Sequence, residues 1–177
     1  MAATTDERAL VLDYELRMFF DSAECVAEKQ SFHIWVVRNS LIEAWALRLR
    51  IMAEFLGPER ANTSDIHASD FLGDPESWQM SKDEFKEVLD RVNKYVAHLT
   101  HQRIASTRDE TLKMNWDPDR MLPLYDRHLR TFAEKADKLP AQMKEFIVER
   151  LDRANARPEN KRTGFSHSTA TAYYTQS

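Results

Sequence analysis

The sequence predicts an all-α fold, a single helical bundle with a long ordered loop between its second and third helices. Three observations carry that expectation. Only 3 of the 177 residues are Gly and 6 are Pro, too few turn formers for a sandwich or barrel of many short strands. Charged residues, 31% of the chain, interleave with apolar ones at three- and four-residue intervals, the period of a helix with one buried face. Two capping boxes, Thr4-Thr5-Asp6-Glu7 and Ser81-Lys82-Asp83-Glu84, each precede such an apolar run.

The first helix is expected from about Asp6 to Lys29, with Leu12, Leu16, Phe19, Ala23 and Val26 on one face. Gln30-Ser31 is the expected turn, and Cys25, beside Ala23 and Val26, is expected to be a buried structural thiol. The second helix, Phe32 to Leu56, is apolar around most of its circumference and is expected to be packed on several sides. Gly57-Pro58 ends it, Gly57 serving as a left-handed cap. Residues 58–80 lack periodicity, and Phe71 and Trp78 are placed to pin this loop to the core. Ser81 opens the third helix, whose buried stripe is Phe85, Val88, Leu89, Val92, Tyr95, Val96 and Leu99. After a polar stretch over 104–117, helix resumes at Asp117-Pro118, with Pro123 as a second expected start, since proline is best tolerated in a first turn. Leu139-Pro140 breaks it, and Met143, Phe146, Ile147 and Leu151 mark a last helix. Residues 1–155 are expected to form one domain and 156–177, short of aliphatics, a disordered tail.

Composition removes several function classes. A net charge of −4 argues against a protein that coats nucleic acid by bulk charge, because phosphate binding relies on Lys and Arg. A single cysteine allows neither an internal disulfide nor a Cys-pair zinc site and points to a reducing, cytoplasmic setting. The stretch Met1 to Glu7 lacks the basic region and apolar core of a signal peptide. The most apolar run, Ile34 to Leu56, is interrupted by Arg38, Glu43, Arg48, Arg50 and Glu54, so no membrane span or membrane partner is expected. No Gly-rich phosphate loop and no Gly-x-Ser-x-Gly elbow is present.

Chemistry concentrates on the third helix, over Asp90 to Arg103. Arg91 and His98 are seven residues apart, almost two turns, which sets them on one face about 10 Å apart at the edge of the apolar stripe. Histidine exchanges protons near neutral pH, and arginine stays charged and grips a phosphate through two N–H groups. The plainer role for the same pair is an Arg–carboxylate contact and a His bonded at the core edge. His98 and His101 could share a metal, but no carboxylate follows at a completing distance, and no metal or cofactor is expected. Arg38, Arg48 and Arg50 are expected to pair with carboxylates such as Glu43 and Glu54, and Trp35, Trp45, Trp78 and Trp116 to build the core. Tyr173 and Tyr174 fall in the expected tail.

Arginine, six residues and histidine (Arg91 to His98) resembles the signature of HEPN domains, in which that pair forms an RNA-cleaving or nucleotide-binding site. Asn93-Lys94, Ala97-His98-Leu99-Thr100 and Arg103 look like a short motif of HEPN-like bacterial proteins of unassigned function. Arg48, Arg50, Met52, Phe55 and Leu56 before Gly57 are similar to the preceding helix there, and Asp65-Ile66 and Asp70-Phe71 fit the intervening loop. The likeness spans roughly residues 10 to 135.

It implies a four- or five-helix bundle, a homodimer, and a metal-independent endoribonuclease or a nucleotide- or RNA-binding protein. Arg91 would bind phosphate and His98 act as acid and base, with Asn93, Lys94 and Arg103 contacting substrate. Members modified by a nucleotidyltransferase partner carry Tyr two residues after the His. Thr100 stands there here, so this position lends no support to pairing with a cognate antitoxin. A non-catalytic interaction or scaffold domain of the same fold is the alternative, and a metal or small-ligand binder within the bundle a third reading.

Overall fold

A computed structural model describes residues 4–27, 35–60, 62–93 and 116–157, without the side chains of Trp35 and Arg38. Among them are five α-helices, two 3-10 turns and no strand: α1 Thr5–Ala27, α2 Trp35–Leu56, the turns Ala68–Phe71 and Pro75–Ser77, α3 Lys86–Val92, α4 Pro118–Lys135 and α5 Ala141–Asn155. The all-α expectation holds for these residues. None of the described helices is long and apolar enough to cross a membrane.

The capping box at Thr4 opens α1. The Glu7 carboxylate accepts from the Thr4 N–H at 2.8 Å, and the Glu7 N–H donates to the Thr4 hydroxyl at 3.3 Å. Leu12, Leu16, Phe19, Ala23 and Val26 are all buried, as their spacing requires. Cys25 is exposed, contrary to expectation. Its neighbours in sequence are not its neighbours in space, because each residue turns about 100° around the helix and Cys25 falls opposite the Ala23 side.

Helix α2 runs along α1 and also packs against α3. Trp45, Leu49, Met52, Phe55 and Leu56 bury its inner side, while Val36, Val37 and Leu47 are exposed, so its outer side is uncovered among the described residues. Gly57 does not take the left-handed conformation expected of it. Side chains of the following loop satisfy the carbonyls at the end of α2 instead. Trp78 Nε1 donates to the Leu56 carbonyl at 3.1 Å, and His67 Nε2 to that of Gly57 at 2.8 Å. Phe71 and Trp78 are buried and pin the loop as their sequence positions suggest.

The second capping box does not form. The Ser81 hydroxyl accepts from the Asp83 N–H at 3.3 Å, and α3 begins only at Lys86, because the Glu84 carboxylate is drawn away to α4. Helix α4 starts where expected, the Asp117 side chain accepting from the Asp119 N–H at 3.0 Å with Pro118 in the first turn. Pro123 is not a start. It lies inside α4, on the exposed side.

The core is an aromatic cluster that crosses all these elements. Phe19 touches Trp45 (5.1 Å between ring centroids) and Tyr125 (5.3 Å), and Phe132 meets Phe55 edge-on at 5.1 Å and Phe71 at 6.0 Å. Such pairs contribute about 0.5–1.5 kcal/mol each beyond area burial. Two polar tethers fix the register of α4 on α2: the Tyr125 hydroxyl donates to the Leu49 carbonyl at 2.7 Å, and Trp45 Nε1 donates to the Trp116 carbonyl at 3.0 Å. Helix α5 packs on α4 and α1, with Arg150 reaching Asp21 at 2.7 Å and Glu24 at 3.1 Å.

Candidate functional site

The described part of the predicted site is the short helix α3. Phe85 precedes it, buried and stacked on Tyr125 at 4.8 Å, with its face 5.3 Å from the His128 ring. Glu84 Oε1 meets His128 Nε2 at 2.8 Å and accepts from Arg127 at 2.6 Å. This pairs the start of α3 with a buried histidine 44 residues away, a contact for which neither segment carries a sequence signal. Val88 and Val92 then turn inward, and Leu89 is partly buried.

Arg91 lies in the last turn of α3, between the buried Val92 and the exposed Glu87–Asp90 side. Its side chain is 40% exposed and pairs with the Glu87 carboxylate one turn back, which is itself 75% exposed. An exposed pair of this kind contributes at most about 1 kcal/mol, and an incoming phosphate can exchange for the carboxylate at little cost. Asn93 is helical in conformation at the end of α3, its N–H directed to the Asp90 and Leu89 carbonyls, its side chain partly exposed. The structure therefore sets Arg91 and Asn93 two residues apart at one helix end. Lys94, His98, His101 and Arg103 lie outside the described residues.

The other sequence candidates have structural employment. Arg50 pairs with Glu54 at 2.8 Å, as expected. Arg48 pairs instead with Glu15 of α1, and its guanidinium lies 5.6 Å from the Tyr14 ring centroid. His67 is buried with both ring nitrogens engaged: Nε2–H donates to Gly57, while Nδ1 faces the Ser69 hydroxyl at 2.8 Å and accepts from the Ser69 N–H at 3.3 Å. Burial pushes its pKa down and the charge of Arg60 adds to that, with the Gly57 carbonyl and Asp70 opposing, so the imidazole is held neutral. His128 is held by Glu84. Among the described residues no three His, Cys, Asp or Glu side chains are grouped to hold a metal.

One polar centre joins residues whose pairing carries no sequence signal. The Asp70 side chain, 8% exposed, accepts from the His67 N–H at 3.0 Å and pairs with Arg60 and, at 3.2 Å, with Arg8 of α1. Burial pushes its carboxyl up, but the Arg60 hydrogen bond, the His67 N–H and the two guanidinium charges outweigh it and leave the pKa below the usual carboxylate range. The centre ties α1 to the loop that carries Trp78.

No protein-family model, curated protein or solved structure matches this chain. The functional reading therefore rests on the residues themselves.

Proposed function

We propose that the chain is a HEPN-like helical bundle that acts as a homodimer on an RNA phosphodiester without a metal. Arg91 grips the scissile phosphate and stabilises its charge as a fifth oxygen approaches phosphorus. His98 takes the proton of the ribose 2′-hydroxyl as that oxygen attacks. The P–O5′ bond breaks, the leaving oxygen takes a proton from solvent, and the products are a 2′,3′-cyclic phosphate and a 5′-hydroxyl. Asn93, Lys94 and Arg103 contact the neighbouring phosphates and sugars. With a net charge of −4, contact is confined to a few phosphates.

The observation that supports this reading is the placement of Arg91. Its backbone is anchored by Val88 and Val92 on one side of α3, while the guanidinium stands at the surface with a replaceable carboxylate partner. The test is expression of wild type, Arg91→Ala and His98→Ala in a bacterial host, with total RNA examined on a gel. Growth arrest and fragmented RNA with the wild type alone are expected. Equal growth and intact RNA in all three strains, with folded protein in each, would sink the proposal.

A second reading, a non-catalytic interaction domain, has its own observation. Leu10 (73% exposed), Val11 and Tyr14 (55% exposed) on α1 and Val36, Val37 and Leu47 on α2 are large apolar side chains left exposed among the described residues, and a partner would cover them. Under this reading Tyr14→Glu with Leu47→Glu shifts the molecular mass measured by light scattering, whereas Arg91→Ala and His98→Ala leave RNA and growth untouched.

A further inference from the structure

Helices α1 and α2 run antiparallel: Glu15 meets Arg48 and Phe19 meets Trp45, so residue numbers rise on one as they fall on the other. Met18 and Ala44 therefore stand nearly level, close to the middle of the pair. Each helix buries one stripe in the core and carries a second on its outer side. On α1 the outer stripe is Val11, Tyr14, Met18, Asp21 and Cys25. On α2 it is Val37, Ser40, Ala44, Leu47 and Ile51. All of these are exposed or half-buried. Both stripes advance by alternating steps of three and four residues, the spacing of a seam along which helices pack on one another. A solvated face carries polar and charged residues at such positions; here Asp21 and Ser40 alone are polar.

The two ends of this layer differ in bulk. Val11, Tyr14, Leu47 and Ile51 stand at one end, and the smaller Cys25, Val37 and Ser40 at the other. A second copy turned over on a two-fold axis through Met18 and Ala44 lays each bulky end on the small end of its partner. Helix α1 then meets α1 and α2 meets α2, both antiparallel. A separate observation points the same way. Arg48 Nε is buried beside Tyr14, and among the described residues nothing accepts its N–H. The two-fold brings Ser40 of the partner subunit level with Arg48, and its hydroxyl oxygen is an acceptor.

We propose that the outer face of α1 and α2 is a self-association surface, and that its occupant is a second copy of this chain docked antiparallel about Met18 and Ala44. The surface rests on the reading above for the homodimer alone and uses neither Arg91 nor His98. With α2 22 residues long, about 33 Å, and the helix pair about 20 Å wide, the footprint is roughly 650 Å² per copy. That is below the ~800 Å² per partner of a standard interface, so association is weak, with a Kd of about 10 μM. At about 1 μM the chain is mostly monomeric and Cys25 is free.

Light scattering of the full chain tests this. The mass should approach twice that of the chain at about 200 μM and fall towards that of one chain at about 1 μM. Ala44→Glu, at a half-buried position, sets like charges against each other on the axis and should stay monomeric at about 200 μM with an unchanged circular dichroism spectrum. Val11→Cys places a thiol opposite Cys25 of the partner subunit, and with oxidised glutathione should give a disulfide-linked dimer on a non-reducing gel. The wild type should give none, because the two copies of Cys25 then stand about 20 Å apart. A wild-type monomer at about 200 μM, a folded Ala44→Glu dimer, or equal cross-linking of wild type and Val11→Cys would each overturn the proposal. If Ala44→Glu does not fold, the cross-link decides alone. A dimer through this face with intact RNA would remove the nuclease and keep the surface; cleaved RNA with a monomer would do the reverse.

Discussion

Asp70→Asn is the most informative single change in this fold. The carboxylate uses Oδ1 for both Arg60 and Arg8 and Oδ2 for the His67 N–H. Asparagine has the same shape but one oxygen. Whichever way the amide turns, its NH₂ faces another donor, either the guanidiniums or the His67 N–H. Each guanidinium is about one-third exposed, so solvent screening limits its lost attraction to about 0.5–1 kcal/mol, and the broken charge-assisted hydrogen bond adds about 1 kcal/mol.

The expected loss is therefore about 2–3 kcal/mol, or roughly 4–12 °C in Tm for a chain of this size. Urea unfolding followed by circular dichroism at 222 nm measures it, and pH identifies its origin. The folded pKa of Asp70 lies below the unfolded value, so its stabilisation is complete above about pH 4 and is lost as pH falls through the lower folded value. His67 also has a depressed folded pKa, so both proteins lose stability as the unfolded state gains that proton below about pH 6.5. The gap between the two proteins, not either curve alone, is the readout. It should narrow as pH falls below about 4. A gap under about 0.5 kcal/mol, or one undiminished at pH 2, would refute the assignment of the stabilisation to the carboxylate's charge.

Two other changes probe the sequence readings that the structure altered. Trp78→Phe keeps the ring in its buried site but removes the Nε1–H from the Leu56 carbonyl; a loss of about 1–2 kcal/mol is expected by urea unfolding, and no loss would mean that water caps α2 equally well. Cys25, exposed on α1, should react to one equivalent with a thiol reagent in the native protein, without a lag. Reaction only after denaturant is added would restore the buried thiol.

The helices were legible because their signals are local. Leu12, Leu16, Phe19, Ala23 and Val26 recur at the helical period, and each is buried; Thr4 and Glu7 lie three apart, and both hydrogen bonds form. The same local logic misplaced Glu84. Three residues after Ser81 it fits a capping box, but His128 and Arg127 compete for its carboxylate from 44 and 43 residues away and prevail. Arg48 repeats the lesson: Glu43 and Glu54 are near in sequence, yet its partner is Glu15 on the neighbouring helix. Charge gives no indication of its partner until the helices are docked. Periodicity, in turn, marks which residues are apolar but not whether a neighbour covers them, so the second helix, expected to be packed on several sides, leaves Val37 and Leu47 exposed.

These long-range polar contacts also determine how the candidate site is held. Helix α3 is only seven residues long among those described, well short of what an isolated helix needs to persist in water. Its position comes from outside itself. Trp78 fixes the preceding loop to the end of α2, Glu84 and Phe85 fix the entry to α4, and Val88 and Val92 carry the remainder into the core. Tyr125, stacked under Phe85, is also bonded to Leu49 of α2, so α4 and α2 share in placing Arg91. A surface arginine at the end of a helix anchored by four buried groups has its backbone held by packing while its guanidinium stands at the surface. That is the preorganisation a phosphate-binding guanidinium requires, and it places the burden of the RNA proposal on His98 rather than on Arg91.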